Sequence, residues 1–181
     1  MWVVASLGRA HSAASAQPRP FPGMSRDHLS ATLLHAYANA HYEFCRDGRW
    51  IDCRLAQASS TAVVPALLSA CNPASRELDA RANRIRHQAL CAELRAAHIA
   101  HWPARGRAPD ASWIEASVLL HARLAIVDAL ARRYRQNAVW LPGPPPVLRL
   151  YVDPASALPA VVANVRLQWV GCDPPDPPEP T

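Results

Sequence analysis

Lysine is absent from the 181 residues of this sequence, and all 19 basic residues are arginine. Together with 18 prolines and abundant alanine, this usage is typical of a GC-rich genome. The arginine content alone therefore does not indicate a nucleic-acid partner. Long apolar runs are also lacking: no stretch approaches the roughly 18 residues that a membrane-spanning helix needs, so we expect no membrane partner.

Closely spaced cysteines are lacking as well. The cysteines are odd in number and include no C-x-x-C pair of the kind found in zinc and redox sites; they are Cys45, Cys53, Cys71, Cys91 and Cys172. Isolated thiols are typical of a reducing compartment, where each behaves as a small apolar side chain. We therefore expect a cytoplasmic protein.

One histidine-containing stretch raises the alternative of a metal site. His87 and Cys91 are four residues apart on a predicted helix, and His98 and His101 follow near its end. The first two share a helix face, but the other two do not complete a known metal-binding spacing. We therefore expect no metal and no other cofactor.

Composition divides the chain into three parts. Hydrophobic residues make up 50% of the sequence, a globular proportion, and the length suits one domain. Residues 1–24 are predicted to be a disordered leader or a non-essential extension, and residues 25–152 a single α+β domain. Residues 153–181 are predicted to be a Pro-rich, acidic and largely disordered tail, in which 157–170 has the pattern of one extra strand.

Hydrophobic periodicity predicts three helices, at residues 25–42 with Ser25 as the N-cap, 76–97 and 121–135. The apolar stripe of the second helix is expected to comprise Leu78, Ala82, Ile85, Ala89, Ala92 and Ala96, extended by Leu90 and Leu94. Asp47-Gly48 predicts a hairpin, and apolar runs predict strands within 60–73, 113–120, 137–141 and 146–152, with 102–112 as a loop. The predicted fold class is α+β, a small mixed sheet with about three helices packed mainly on one face.

Several short elements occur in a spaced order that matches a known family. They are Ala36-Tyr37 with Tyr42, Asn72-Pro73 with Ser75, Asn83 with Arg86, Gly106, Trp113, Glu115, Ser117 and Gln136-Asn137. Over about residues 28–152 the sequence resembles the bacterial family catalogued as domain of unknown function 3293. The residue before Asn72 is usually aromatic in that family and is Cys71 here, so any contact made by that ring is lost. The resemblance implies a bacterial protein and transfers no activity.

The polar residues of the predicted strand 113–120 are the main candidates for a site. Alternation places Trp113, Glu115 and Ser117 on one face, and an indole beside a carboxylate indicates partial burial. We expect Glu115 to pair with Arg86, in a structural cluster or in a ligand site; plain solvent exposure is the third interpretation. The candidate ligand-binding residues are Asn72, Asn83, Arg86, Trp113, Glu115, Ser117, Gln136 and Asn137.

These residue types offer hydrogen-bond donors and acceptors without an activated nucleophile, which favours recognition over catalysis. Ser117 lies outside any G-x-S-x-G motif, and no catalytic residue is assigned. The predicted function is therefore recognition of a small molecule or peptide. One alternative is a nucleic-acid-binding accessory protein that uses Arg-rich helix faces, with Arg76, Arg81, Arg84 and Arg86 on the second helix and the segment 131–135. A third interpretation makes the Pro-rich tail a peptide for a partner's aromatic groove.

Overall fold

A mixed β-sheet is the central element of the computed structural model, which describes residues 29–56, 62–151 and 161–170. Its strands are β1 (His41–Arg46), β2 (Arg49–Asp52), β3 (Val64–Ser69), β4 (His101–Arg107), β5 (Ile114–Ala122), β6 (Ala138–Leu141), β7 (Val147–Leu150), β8 (Val161–Val162) and β9 (Val165–Trp169). They lie in the order β2-β1-β4-β5-β3-β6-β7-β9-β8. Each neighbouring pair is antiparallel except β7 and β9, which are parallel.

Helices cover both faces of this sheet. In the described residues they are α1 (Ala31–Asn39), α2 (Ala80–Ala96) and α3 (Leu124–Arg133), and short 3-10 turns occupy Cys53–Leu55 and Pro73–Ser75. On one face, Leu33 and Leu34 of α1 pack with Leu67 and Leu119 of the sheet. On the other face, α2 and α3 pack against the alternate sheet residues, among them Leu68 and Val118. The α+β class, the mixed sheet and the three helices are confirmed, and the sheet has more strands than the sequence patterns indicated.

The hairpin between β1 and β2 forms at the predicted position. Asp47 and Gly48 have φ values of 52° and 76°. Two successive positive φ angles match the twist of a two-residue hairpin, and Asp-Gly is among the pairs that adopt them most readily. Local turn chemistry therefore sets the pairing of Arg46 with Arg49.

The first helix is shorter than periodicity predicted. Ser30 caps it, because its Oγ accepts a hydrogen bond from the backbone N–H of Leu33 at 3.2 Å. The expected cap, Ser25, lies outside the described residues. The helix ends at Asn39, since Tyr42 belongs to β1 and pairs with Gly106 of β4.

The expected apolar stripe of α2 was wrong in its main row and confirmed in its extension. Ile85 is 56% exposed and Ala89 is exposed, whereas Leu90 and Leu94 of the extension are fully buried. Alanines lie on every side of this helix, so their spacing defines no unique face. The two leucines decide the orientation, because each buries more apolar area than an alanine methyl group.

The loop predicted at 102–112 was wrong in its first part, because β4 extends to Arg107, whereas residues 108–112 do form a loop. Strand β4 lies between β1 and β5 and pairs with both. Pro103 lies beyond the last β1–β4 pair, Phe44 with Ala104, so its missing N–H removes no bond to β1. Pro103 and Gly106 lower the strand preference of the segment, so its sequence pattern did not indicate the strand that pairing with β1 and β5 stabilises.

The sheet continues beyond residue 152. Strand β9 pairs with β7, which confirms the extra strand expected within 157–170, and β8 folds back on it. Ala163 and Asn164, with φ values of 49° and 64°, form the connecting turn. The domain limits at residues 24 and 152 remain predictions, and residues 171–181 lie outside the described residues.

Replacing Leu90 tests the orientation of α2. We expect Leu90→Ala to lower the free energy of unfolding by about 2–5 kcal/mol, because it leaves a cavity between α2 and the sheet. Ile85→Ala on the exposed side is the matched control and should change stability by no more than about 0.5 kcal/mol. Urea unfolding of both variants measures the difference, and equal losses would contradict the assigned orientation.

Candidate functional site

Three in-register residues run across the sheet beneath α1. Tyr42 of β1 pairs with Gly106 of β4, which pairs with Glu115 of β5. A Cβ atom on Gly106 would lie 3.3 Å from the Tyr42 ring and 3.6 Å from the Trp113 ring. The missing side chain at Gly106 therefore lets these two rings close over the strand beside Glu115.

The loop after β3 has an unusual backbone. Asn72, Ala74 and Ser75 have φ values of 45°, 52° and 55°, in the left-handed region that non-glycine residues rarely adopt. Each such residue costs on the order of 1 kcal/mol, and clusters of them occur at functional sites. The Ala74 amide donates to the Arg135 carbonyl at 2.6 Å, which ties this loop to the end of α3.

Two asparagines hold this loop against α2. The Asn72 N–H donates to Asn83 Oδ1, and Asn83 Nδ2 donates back to Asn72 Oδ1, both at 2.9 Å. Asn72 Oδ1 also accepts from the Leu78 amide at 3.0 Å. The remaining donor, Asn72 Nδ2, points to Glu115 Oε2 at 2.8 Å. One side chain thus connects β3, α2 and β5.

Hydroxyl groups continue the polar cluster towards α1. Tyr37 Oη and Ser75 Oγ are 3.1 Å apart, and Asn137 Nδ2 donates to Ser75 Oγ at 2.7 Å. The Tyr42 hydroxyl donates to the Tyr37 carbonyl at 2.8 Å. We use the name Glu115 cluster for six side chains that are all half-buried, namely Tyr37, Tyr42, Asn72, Ser75, Glu115 and Asn137.

The expected pair between Glu115 and Arg86 was wrong. Arg86 Nε donates to the Ala70 carbonyl at 2.6 Å, and its Nη2 donates to the Tyr134 carbonyl at 2.9 Å. The reason is topological: α2 lies on the face of the sheet opposite to Glu115, so its guanidinium binds backbone carbonyls there. Gln136 behaves in the same way and donates to the Cys71 carbonyl at 2.9 Å.

Burial and neutral donors set the protonation of the cluster. Burial raises the pKa of Glu115, although the hydrogen bond from the Asn72 amide opposes that rise. Burial also raises the pKa of Tyr37 to about 12 and that of Cys71 to about 11, and in both cases the nearby Glu115 charge adds to the effect. The Glu115 carboxyl thus lies near the Tyr37 hydroxyl and, outside the cluster, the Cys71 thiol, both of which stay protonated at neutral pH.

The structure brings most of the predicted site residues together. Asn72, Asn83 and Glu115 form one hydrogen-bonded set, and Asn137 joins it through Ser75. Trp113 packs beside Gly106, but Ser117 is only 2% exposed beneath the cluster. Arg86 and Gln136 support the loop from the other side. Whether any of these residues binds a ligand remains a prediction.

Four contributors were absent from the predicted site. Tyr37, Tyr42 and Ser75 belong to the cluster, and Ser69 bonds both the Ala116 carbonyl and the Cys71 amide. Tyr37, Tyr42 and Ser75 are among the residues that carry the family resemblance, which is the signal that could have indicated them. Ser69 carried no such signal, because it lies within an otherwise apolar run.

A cavity of about 390 Å³ lies beside the cluster. Its lining comes from one side of α1 and from the loop before β5, and consists of Ala36, Asn39, Ala108, Pro109, Asp110, Ser112 and Trp113. Trp113 is common to the cavity wall and to the ring packing over Gly106. The volume falls in the range that small-molecule sites occupy.

The histidine and cysteine residues do not form a comparable site. His87 Nε2 and Cys91 Sγ are 3.6 Å apart, whereas His101 Nδ1 lies 2.8 Å from the Ile99 carbonyl. Within residues 29–56, 62–151 and 161–170, no group of three or more His, Cys, Asp or Glu side chains is placed to hold a metal. No helix in those same segments is long and apolar enough to cross a membrane.

The central part of the chain matches a known protein family. Residues 68–139 match the family described as protein of unknown function (DUF3293). The matched segment runs from the end of β3 to β6 and contains Asn72, Asn83, Glu115 and Asn137. The family resemblance predicted from the sequence is confirmed there. Comparison with curated proteins and with solved structures gives no match.

Removing the Glu115 charge tests the electrostatics of the cluster. A carboxyl whose pKa is raised by folding stabilises the protein fully only below its unfolded pKa, and this contribution is lost as pH rises through the folded pKa. We therefore expect Glu115→Gln to raise the thermal midpoint at pH 7 by a few degrees, about 1 kcal/mol, and to change little near pH 4. Thermal unfolding between pH 4 and pH 8 measures this dependence.

Glu43 is the matched control, because folding shifts its pKa in the direction opposite to that of Glu115. Burial raises its pKa, but hydrogen bonds from Arg107 and Arg105 outweigh that effect and lower the pKa overall. Its stabilisation is present above the unfolded pKa and is lost as pH falls. Glu43→Gln should therefore lower the midpoint at pH 7, with a smaller loss near pH 4. A change of the thermal midpoint at pH 7 in the same direction for both variants would contradict the assigned environment of Glu115.

Relieving the backbone at Ala74 tests the strain of the loop. Glycine adopts the left-handed conformation without the Cβ clash, so Ala74→Gly should raise the free energy of unfolding by about 1 kcal/mol. The matched control is Ala89→Gly in the exposed side of α2, which should lower it by about 1 kcal/mol. Urea unfolding provides both values, and a loss of stability in Ala74→Gly would show that the loop is not strained.

Proposed function

We propose that this protein recognises a small molecule or a peptide at the Glu115 cluster. The observation that supports the proposal is the Glu115 carboxyl itself. It is half-buried, its pKa is raised, and its hydrogen bond comes from the uncharged Asn72 amide rather than from an arginine. A carboxyl in such surroundings costs stability when it is charged, and proteins retain costs of this kind mainly where function needs them.

The hydrogen-bond inventory defines what a ligand has to offer. A carboxylate accepts about four hydrogen bonds, and the Asn72 amide supplies one to Oε2. The hydroxyls of Tyr37 and Ser75 are mutually bonded and also accept. The cluster therefore favours a ligand with N–H donors, such as an amide, an amidine or an ammonium group.

The same side chains argue for binding rather than turnover. Ser75 Oγ accepts from Asn137 and contacts Tyr37, so neither neighbour is a base that would remove its proton. The pKa of Cys71, raised to about 11 by burial, keeps its thiol protonated and unreactive. Within the Glu115 cluster and its contacts, no group is activated as a nucleophile.

The cavity beside Trp113 provides room for the rest of the ligand. Trp113 and Ala36 contribute apolar surface, whereas Asn39, Asp110 and Ser112 contribute polar groups at its rim. Apolar walls with a few polar groups are typical of small-molecule sites, and a peptide side chain fits the same description. The family resemblance supports a bacterial protein, and the isolated cysteines support a cytoplasmic location.

Nucleic-acid binding, the alternative predicted from the sequence, has less support. Arg86 binds backbone carbonyls, Arg133 pairs with Glu93 and Arg149 pairs with Asp128. Those guanidinium groups are already used within the fold. Arg76, Arg81 and Arg84 remain exposed near the start of α2, and they are the residues that a phosphate backbone would contact.

A fragment titration tests the proposal. The probes are benzamidine and benzamide, which carry N–H donors, and benzoate, which does not; the readout is the side-chain amide NMR signals of Asn72 and Asn137. We expect benzamidine or benzamide to shift those signals saturably, and the shifts to weaken at least about tenfold in Glu115→Gln. Glu43→Gln is the control and should bind as the wild type does.

Three results would contradict the proposal. The first is that no probe shifts the two amides, and the second is that benzoate shifts them as strongly as benzamidine does. The third is that the Glu115→Gln variant binds unchanged. A labelled single-stranded oligonucleotide added to the same protein checks the alternative: shifts along residues 76–84 that disappear with added salt would assign the function to nucleic acid instead.

A further inference from the structure

We propose a second binding site at the opposite end of β5, which takes a small aromatic carboxylate. It is an open surface cavity of about 530 Å³ between the start of β4, the end of β5 and the start of α3. Its lining shares no residue with the Glu115 cluster and includes Val63, Ile99, Trp102, His121, Arg123 and Ile126. The volume is sufficient for a ligand of two fused rings.

The site is independent of the proposed function at Glu115. Glu115 and His121 lie on the same face of β5, because they are an even number of residues apart. They are six residue steps apart along the strand, which corresponds to about 20 Å. Leu119, which is 1% exposed, lies between them in the core beneath α1.

Two aromatic rings form one wall of the cavity. The rings of Trp102 and His121 are 5.1 Å apart with an interplanar angle of 64°, an edge-to-face pair. Ile99 and Val63 are half-buried beside them, and Ile126 is 39% exposed at the rim. A flat apolar ligand would cover this surface, which water otherwise contacts.

The charge of the cavity indicates the polar group of the ligand. Among the described residues, none that lines it is acidic, and Arg123 is exposed and makes no ion pair with any of them. Burial lowers the pKa of His121, so its imidazole is neutral at pH 7 and the positive charge comes from Arg123. A guanidinium binds a carboxylate through two parallel hydrogen bonds. An aromatic carboxylate therefore satisfies both the rings and the arginine.

Titration with 2-naphthoate tests this site, with the neutral 2-naphthamide as the matched probe. The full chain is used at pH 7, and the readouts are the indole N–H signal of Trp102 and calorimetry. We expect saturable binding of one 2-naphthoate with a shift of the Trp102 signal, and binding of 2-naphthamide about tenfold weaker. Arg123→Gln should weaken the binding of 2-naphthoate by a similar factor, whereas Arg84→Gln on the exposed side of α2 should leave that binding unchanged.

A second variant separates binding from folding. Ile126→Glu places a carboxylate at the rim in the first turns of α3, where a negative charge suits the helix dipole and should not lower the thermal midpoint. It should nevertheless abolish 2-naphthoate binding by repulsion. The proposal fails if 2-naphthoate does not bind saturably, if 2-naphthamide binds equally well, or if a folded Ile126→Glu variant binds it normally. Glu115→Gln should bind 2-naphthoate normally, which keeps this test separate from that of the Glu115 cluster.

Discussion

The reciprocal amide pair between Asn72 and Asn83 is the contact on which the rest of the site depends. It joins the end of β3 to the first turns of α2, and its last free donor reaches Glu115 on β5. Asparagine suits position 72 for two reasons: it tolerates a left-handed backbone, and its short amide replaces backbone hydrogen bonds that the turn leaves unmade. Without this pair, the strained residues 74 and 75 would lose the anchor that compensates their cost.

Strand β5 places its polar side chains along one face of the sheet. Its alternate residues place Leu119 in the core between a carboxyl at one end and an imidazole at the other. The opposite face carries apolar side chains, of which Val118 and Leu120 pack with α2 and α3. Period-two alternation thus concentrates the polar groups of β5 on the face beneath α1.

Part of the candidate site was predictable, because its signals are local. An indole, a carboxyl and a hydroxyl at alternate positions place Trp113, Glu115 and Ser117 on one face whatever the rest of the chain does. Asn72 before a proline similarly indicates a turn. The partner of Glu115 was not predictable in this way. The expected donor was the guanidinium of Arg86, and only the side of the sheet on which α2 packs excludes it in favour of the Asn72 amide.

The sequence by itself determined the features whose physics is contained in a few neighbouring residues: the Asp47-Gly48 hairpin, the alternation in β5, and the existence of three helices in an α+β fold. The tertiary structure decided which side of α2 is buried and that β4 is a strand. The alanines of α2 make several of its faces nearly equal in hydrophobicity, so packing against the sheet determines which face is buried. In β4 a proline and a glycine lower the intrinsic strand preference, and backbone hydrogen bonds to β1 and β5 override it.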